Sequence, residues 1–245
     1  MSEREEAGEL VAEVTRFALE MTELLRGVLP TFASPFASTV SGTHVIVRQQ
    51  PADGVILRAD GEPLLRLHAK FRCTWDSSRD FLLVDQSTVS VLAHAGEEPL
   101  FRYDYDARSV AALPAAHLNV HAHRDETVFA MTGAGRRFRG KHRQRLVDGG
   151  DVPRLAKLHF PLGGHRFRPC LEDVLEAVIR EFGIDTVDGW DEVIRAGRRR
   201  WREKQLRSAV RDDPQTAAEV LMRLGYGVIP PPEPPRLRAE RIDAL

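Results

Sequence analysis

The amino-acid sequence predicts an α+β protein in which an antiparallel sheet of about five to six strands is flanked by an N-terminal helix and C-terminal helices. Three observations predict it. Apolar residues near the N-terminus recur at helical spacing, the middle of the chain alternates apolar and polar residues in short runs, and the last third returns to helical spacing with caps in place.

In the first segment Leu10, Val14, Phe17, Met21, Leu24 and Val28 recur every three or four residues, which predicts a helix within residues 1–30 with one apolar seam. Its outer face is rich in glutamate, and Pro30 ends it. The seam is shorter than three heptads, so it packs on its own domain or serves as a homodimer contact. Thr31 to Ser41 reads as a loop. From Leu65 to Trp75, odd positions are apolar and even positions are polar, the period of a strand with one buried and one wet face. Asp76 to Arg79 supplies a turn, and Phe81–Val84 with Thr88–Ala93 reads as one or two further strands. Phe101, Tyr103 and Tyr105 alternate with Arg102, Asp104 and Asp106. His117–His123 alternates again, and Leu155–Phe160 reads as a short last strand. Short strands joined by short turns favour antiparallel pairing.

Leu171, Val174, Leu175, Val178, Ile179 and Phe182 mark a helical face that stops at Gly183. A second helix is expected from about Trp190 to Ala209, and a third from Pro214, with Asp213 as N-cap, to Gly225. The organisation is thus a helix at 1–30, a sheet-plus-helix core at 42–183 with a basic insertion at 133–150, a helical extension at 188–227, and a Pro-rich tail at 228–245 expected to be extended and mobile.

With 42% apolar and 29% charged residues, the chain has the composition of a globular domain, not of a collagen-like or wholly disordered one. No run of 18 apolar residues is present, so no membrane partner is expected. The acidic start MSEREEAGEL lacks the pattern of a signal peptide, and the two cysteines, Cys73 and Cys170, form no disulfide framework. A cytoplasmic protein is expected. The net charge of −1 conceals strong segregation: −7 over residues 1–130, +8 over 131–170, −7 over 171–194 and +7 over 195–211. Either the basic blocks attract an external anion, or each neutralises the acidic stretch beside it within the fold.

The most informative stretch is His117-Leu118-Asn119-Val120-His121-Ala122-His123. In a strand, alternate side chains share a face, so His117, Asn119, His121 and His123 point one way. The Cα atoms of His121 and His123 are then roughly 7 Å apart, whereas His117 lies about 13 Å from His121. No metal is expected, although a zinc ion on His121 and His123 could recruit His159 or Asp125. The same imidazoles suit proton transfer without metal, because their ordinary pKa lies near working pH. Ribonucleolytic cleavage needs such a base and acid, and cations for the phosphorane charge. Arg136, Arg137, Arg139, Lys141, Arg143 and Arg145 lie in a segment with no acid and one aromatic residue, Phe138, which reads as a phosphate-contacting arm rather than a base-stacking platform. His165 and Arg166 lie just before the helix that begins at Leu171, where an anion is favoured. Equally, the histidines can be plain surface groups paired with Asp104 or Asp106.

Other motifs exclude chemistry. Gly133-Ala134-Gly135 lacks the third glycine and the strand–helix setting of a dinucleotide fingerprint, no P-loop or GxSxG occurs, and no cofactor is expected. Cys73 lies on the apolar face of its strand and Trp201 on a helical seam with Trp190, Ile194 and Gly197, which makes both core residues.

The order of Arg102-Tyr103-Asp104, the strand bearing His117, His121 and His123, the Phe160-Pro161-Leu162-Gly163 turn and a following amphipathic helix resembles the TumE-type toxins of toxin–antitoxin systems over roughly residues 60–183. That resemblance implies an RNA or translation target and an antitoxin partner. The sequence reading is accordingly an RNA- or phosphate-interacting protein, a metal-independent ribonuclease in its sharpest form. In it His121 and His123 transfer protons, Arg102 and the arm hold phosphates, and Tyr103 orients the substrate. The alternatives are a non-catalytic interaction protein and a small metal site on His121, His123 and His159.

Overall fold

The computed structural model describes residues 3–32, 34–76, 79, 81–108, 115–120, 124–153, 168–233 and 235–242. Helix α1 (Glu3–Arg26) precedes seven strands: β1 (Phe36–Ser41), β2 (His44–Gln49), β3 (Val55–Ala59), β4 (Glu62–Trp75), β5 (Leu82–Ala93), β6 (Pro99–Asp106) and β7 (Ala116–Val120). Helices α2 (Arg124–Thr132), α3 (Phe138–Asp148), α4 (Leu171–Phe182), α5 (Trp190–Asp212) and α6 (Pro214–Arg223) follow, and a single turn, α7 (Ala239–Ile242), closes the described chain. The fold is α+β, and every strand pairing among the described residues is antiparallel.

The long strand β4 organises the sheet. One edge pairs along most of its length with β5, and the other is shared, its first half taken by β3 and its second half by β2. The remaining order is β1 outside β2, then β6 and β7 beyond β5. The β3–β4 connection is Asp60-Gly61, both with positive φ (53° and 84°), the backbone a tight two-residue hairpin requires. The Asp185 carboxylate accepts hydrogen bonds from the Asp60 and Gly61 amides at 3.2 and 2.8 Å, tying this turn to the linker after α4.

The alternation of β4 carries through to packing. Leu65, Leu67, Ala69, Phe71 and Cys73 are buried, and burial pushes the Cys73 thiol up to about 12, a protonated core group. Helix α1 lays its seam on this face: Leu10, Val14, Leu24 and Val28 are buried, while Phe17 and Met21 are half-buried against the same core. That seam is covered within the chain. Helix α4 adds six apolar side chains to the core, each at most 3% exposed, and ends at Gly183 in the left-handed conformation.

The structure differs from expectation in three places. Phe36–Ser41 is a strand, not a loop, because its backbone completes the ladder of β2 although Ser38, Thr39 and Ser41 give it little apolar pattern. The basic insertion is helical: α3 runs through it and packs on α4. The tail returns to α5, with the Arg238 amide donating to the Asp212 carbonyl at 3.0 Å. The expected strand at 155–160 lies outside the described residues.

The glycines of the insertion have a packing role. The Gly135 amide donates to the Phe182 carbonyl at 3.2 Å, and Gly140 and Gly183 both approach the Gly135 backbone. A Cβ on Gly140 would lie 2.1 Å from the Gly135 carbonyl oxygen. Gly140→Ala is therefore expected to cost about 3 kcal/mol or more. Gly8→Ala, where a Cβ meets nothing within 4 Å on a helix, is expected to be neutral or to stabilise by up to about 1 kcal/mol. Urea unfolding of the two variants checks the contrast.

Candidate functional site

Two polar regions emerge, one on the wet face of the sheet and one on the helices. On the sheet, cross-strand register brings Thr88, Asp104 and His117 into one row and Arg102 and Asn119 into the next. Asp104 sits at their centre. Its carboxylate accepts from Arg102 Nε at 2.6 Å, Asn119 Nδ2 at 2.8 Å and Thr88 Oγ1 at 3.0 Å, with His117 Nε2 at 3.8 Å. His117 and Asn119 thus lie on one face with Arg102.

Tyr103 does not join them. Successive strand residues face opposite ways, and Tyr103 is buried on the apolar side with its ring edge-on to Phe101 at 6.0 Å. Burial raises its phenol pKa well above the ordinary value, so it neither orients a substrate beside Arg102 nor ionises. His121, His123, His159, His165 and Arg166 lie outside the described residues. Among the described residues no group of three or more His, Cys, Asp or Glu is placed to hold a metal.

A second cluster lies on the same face, where the polar side of the 65–75 strand meets an acid of β5. Asp85 occupies a bulge in β5, where the register with β4 shifts, and its side chain is only 2% exposed. Arg72 grips it with two hydrogen bonds, Nε at 2.8 Å and Nη2 at 2.7 Å, while Arg108 Nη2 approaches at 3.1 Å and His44 Nε2 at 3.4 Å. Burial opposes ionisation of Asp85, but the Arg72 hydrogen bonds and the Arg72, His44 and Arg108 charges outweigh it and hold its pKa below the usual carboxylate range. The signal available in the sequence was an acid following Leu82-Leu83-Val84, although its partners come from three other segments.

The helical region shows how the charge blocks are arranged. Helix α4 packs between α3 and α5. Arg143 of the first basic block is buried and ion-paired with Glu181, so it is not available to phosphate. Arg198 of the second block bonds Asp173 at 2.8 Å and also pairs with Glu176, to which Arg180 adds a 2.7 Å contact. Neutralisation within the fold therefore accounts for Arg143 and Arg198. It does not account for Arg136, Arg137, Lys141 and Arg145, nor for Arg199 and Arg207. These six cations are exposed and make no ion pair among the described residues, whereas the Arg200 charge acts on the buried Glu172 carboxyl of α4. The Arg139 side chain lies outside the described set. As a helix turns about 100° per residue, Arg143 points inward while Lys141 and Arg145 face solvent, a split that a linear arm would not show.

No family model, curated protein or solved structure matches the chain.

The two cationic helices meet through aromatic rings. Phe138, 46% exposed, sits edge-on to Trp190 at 6.0 Å, and the Arg180 guanidinium lies over both rings at 5.3 and 5.6 Å. Arg136 and Arg137 adjoin this cluster in sequence, and Arg137 reaches Thr186 at 3.5 Å. Along α5, Arg195, Arg198, Arg199, Arg202, Glu203 and Leu206 line an open groove of about 470 Å³.

Asp85 supplies a stability test. Because its folded pKa is depressed, its contribution is present above the unfolded value of about 3.9 and is lost as pH falls through the folded pKa. Asp85→Asn is expected to cost about 2–3 kcal/mol near neutral pH by leaving Arg72 without its counter-charge. It should also flatten the fall of the melting temperature in acid, which calorimetry between neutral and acidic pH measures.

Proposed function

We propose that this protein binds RNA through its phosphate backbone, on a cationic surface formed by α3 and α5. The observation that carries this reading is that the acids of α4 neutralise one arginine of each basic block, while six other cations of those blocks, Arg136, Arg137, Lys141, Arg145, Arg199 and Arg207, face solvent without an ion pair among the described residues. Arg195 to Arg207 spans about 18 Å at the helical rise, with cations at intervals of about one turn or less. That length suits several consecutive phosphates, and arginine offers each of them a bidentate fork. Phe138, exposed beside Arg136 and Arg137, adds a face on which a base can stack. The toxin-like order of sequence features points to the same class of target.

The test is the salt dependence of affinity for a single-stranded RNA oligonucleotide. Contacts to about four phosphates give a log–log slope near −3, at about −0.7 per phosphate for single strands. The double variant Arg136→Ala/Arg137→Ala and the variant Arg199→Ala are each expected to weaken binding and make the slope shallower by about 0.7–1.4. Affinity that does not fall with rising salt would sink the reading. Arg143→Ala is expected to lower stability and leave the slope nearly unchanged.

Cleavage of the bound strand is the second reading. Its specific support is the shared face of Arg102, His117 and Asn119 around Asp104, on a strand that leads in sequence into His121 and His123. In this scheme one imidazole takes the 2′-hydroxyl proton, the other protonates the leaving oxygen, and Arg102 holds the phosphate. Metal-independent cleavage in the presence of a chelator is the expected activity. His121→Ala/His123→Ala is expected to lower its rate by about 10²–10⁴ without changing RNA affinity. Equal rates in the two proteins would leave RNA binding without catalysis.

A further inference from the structure

A second site lies on the opposite, apolar face of the sheet, where α1, the start of α4 and the middle of α5 converge over β4 and β5. They enclose a cavity of about 50 Å³. We propose that this cavity binds a short-chain monocarboxylate, whose carboxylate is held by the Arg168 guanidinium and the Trp201 indole N–H.

Arg168 is the reason. Its guanidinium lies over two rings, 3.7 Å from the Tyr105 centroid and 4.7 Å from that of Trp201. Stacking of this kind engages the face of the planar cation and leaves its in-plane N–H donors for an acceptor. Among the described residues those donors have neither a hydrogen-bond acceptor nor a carboxylate partner. Desolvation depresses its pKa, although the residue as a whole is half-buried. Arg168 and Trp201 both line the cavity, and the Trp201 Nε1–H is fully buried with no acceptor among the described residues. A buried indole donor and a half-buried guanidinium share this cavity, and a single anion satisfies both.

The shape of the acceptor follows from the lining. A planar carboxylate matches the in-plane fork of an arginine stacked on aromatic rings. The remaining wall is largely apolar, with Phe17, Met21, Phe71, Val89 and Leu171, so a short hydrocarbon tail fits and a hydrated phosphate dianion does not. Glu172, at the same wall, points the same way. Burial raises its pKa and the charge of Arg200, at the same wall, opposes that rise, while its carboxyl lies against Gly197, where a Cβ would fall 2.4 Å from Oε1, so a larger negative charge is less well accommodated than a single one. At on the order of 10 Å³ per water-sized group, the space holds roughly five such groups, which limits the ligand to about two to four carbons. Lys204, paired with Glu20 at 3.1 Å, stands at the rim and adds positive potential at the entry.

The test uses the full chain at fixed ionic strength, with propionate, its uncharged isostere propionamide and inorganic phosphate as probes, read by thermal shift and tryptophan fluorescence. Propionate is expected to raise the melting temperature saturably, with one molecule bound per chain. Propionamide and phosphate are expected to bind at least about tenfold more weakly. Arg168→Gln is expected to lose about tenfold or more, and Trp201→Phe, which keeps an aromatic ring and removes the donor, about two- to tenfold. No saturable response to propionate, an equal response to propionamide or phosphate, or unchanged propionate affinity in a folded Arg168→Gln protein would overturn the assignment. Should Arg168→Gln fail to fold, Trp201→Phe decides, and an unchanged affinity there overturns it. The RNA titration above uses neither Arg168 nor Trp201, so the two proposals stand or fall separately.

Discussion

Helix α4 carries the interaction on which the helical half of the molecule depends. One side of it is apolar and locked into the core by Leu171, Val174, Leu175, Val178, Ile179 and Phe182. The flanks are acidic, and buried carboxylates are tolerable only with partners. Arg143 from α3 and Arg198 from α5 supply them, so the two basic helices are held against α4 by the same side chains that relieve its charge. Other arginines of α3 and α5 consequently face solvent, and the cationic surface is a geometric by-product of how the core is closed.

The sheet divides the chemistry in two. Its apolar face takes α1 and α4 and encloses the cavity lined by Arg168 and Trp201. Its wet face carries carboxylates at Asp85 and Asp104, each surrounded by cations and donors drawn from several strands. Those clusters fix cross-strand register as well as charge, because Arg72, Asp85 and Arg108 come together only with β4, β5 and the end of β6 in their observed alignment. Arg102 belongs to this wet face and Tyr103 to the core, a separation imposed by the two-residue period of the strand.

Much of the architecture was legible from periodicity alone. The eleven-residue alternation from Leu65 to Trp75, the seam of α1, the stop at Gly183 and the Asp213–Pro214 start of α6 all appear where local pattern put them. The Asp213 side chain does accept the Thr216 amide, at 2.9 Å. The strand at Phe36–Ser41 and the helix at Phe138–Asp148 were not legible. The first has little apolar alternation, and the second has basic residues on nearly every side. Each is specified by its neighbour, β2 in one case and α4 in the other.

For the candidate sites, the sequence by itself determined the inventory: which residues are cationic, where histidines cluster, and that acidic and basic stretches alternate along the chain. Local spacing also determined which side chains of one strand share a face, since that depends on backbone geometry alone. Only the tertiary structure decided which arginines remain in solvent, because pairing with Glu181, Glu176 and Asp173 requires three helices to lie side by side. It likewise decided that Arg168 is stacked on Tyr105 and Trp201, residues 63 and 33 positions away in the chain. Charge and periodicity are properties of neighbouring residues, whereas burial and counter-charge depend on distant segments brought together by the core.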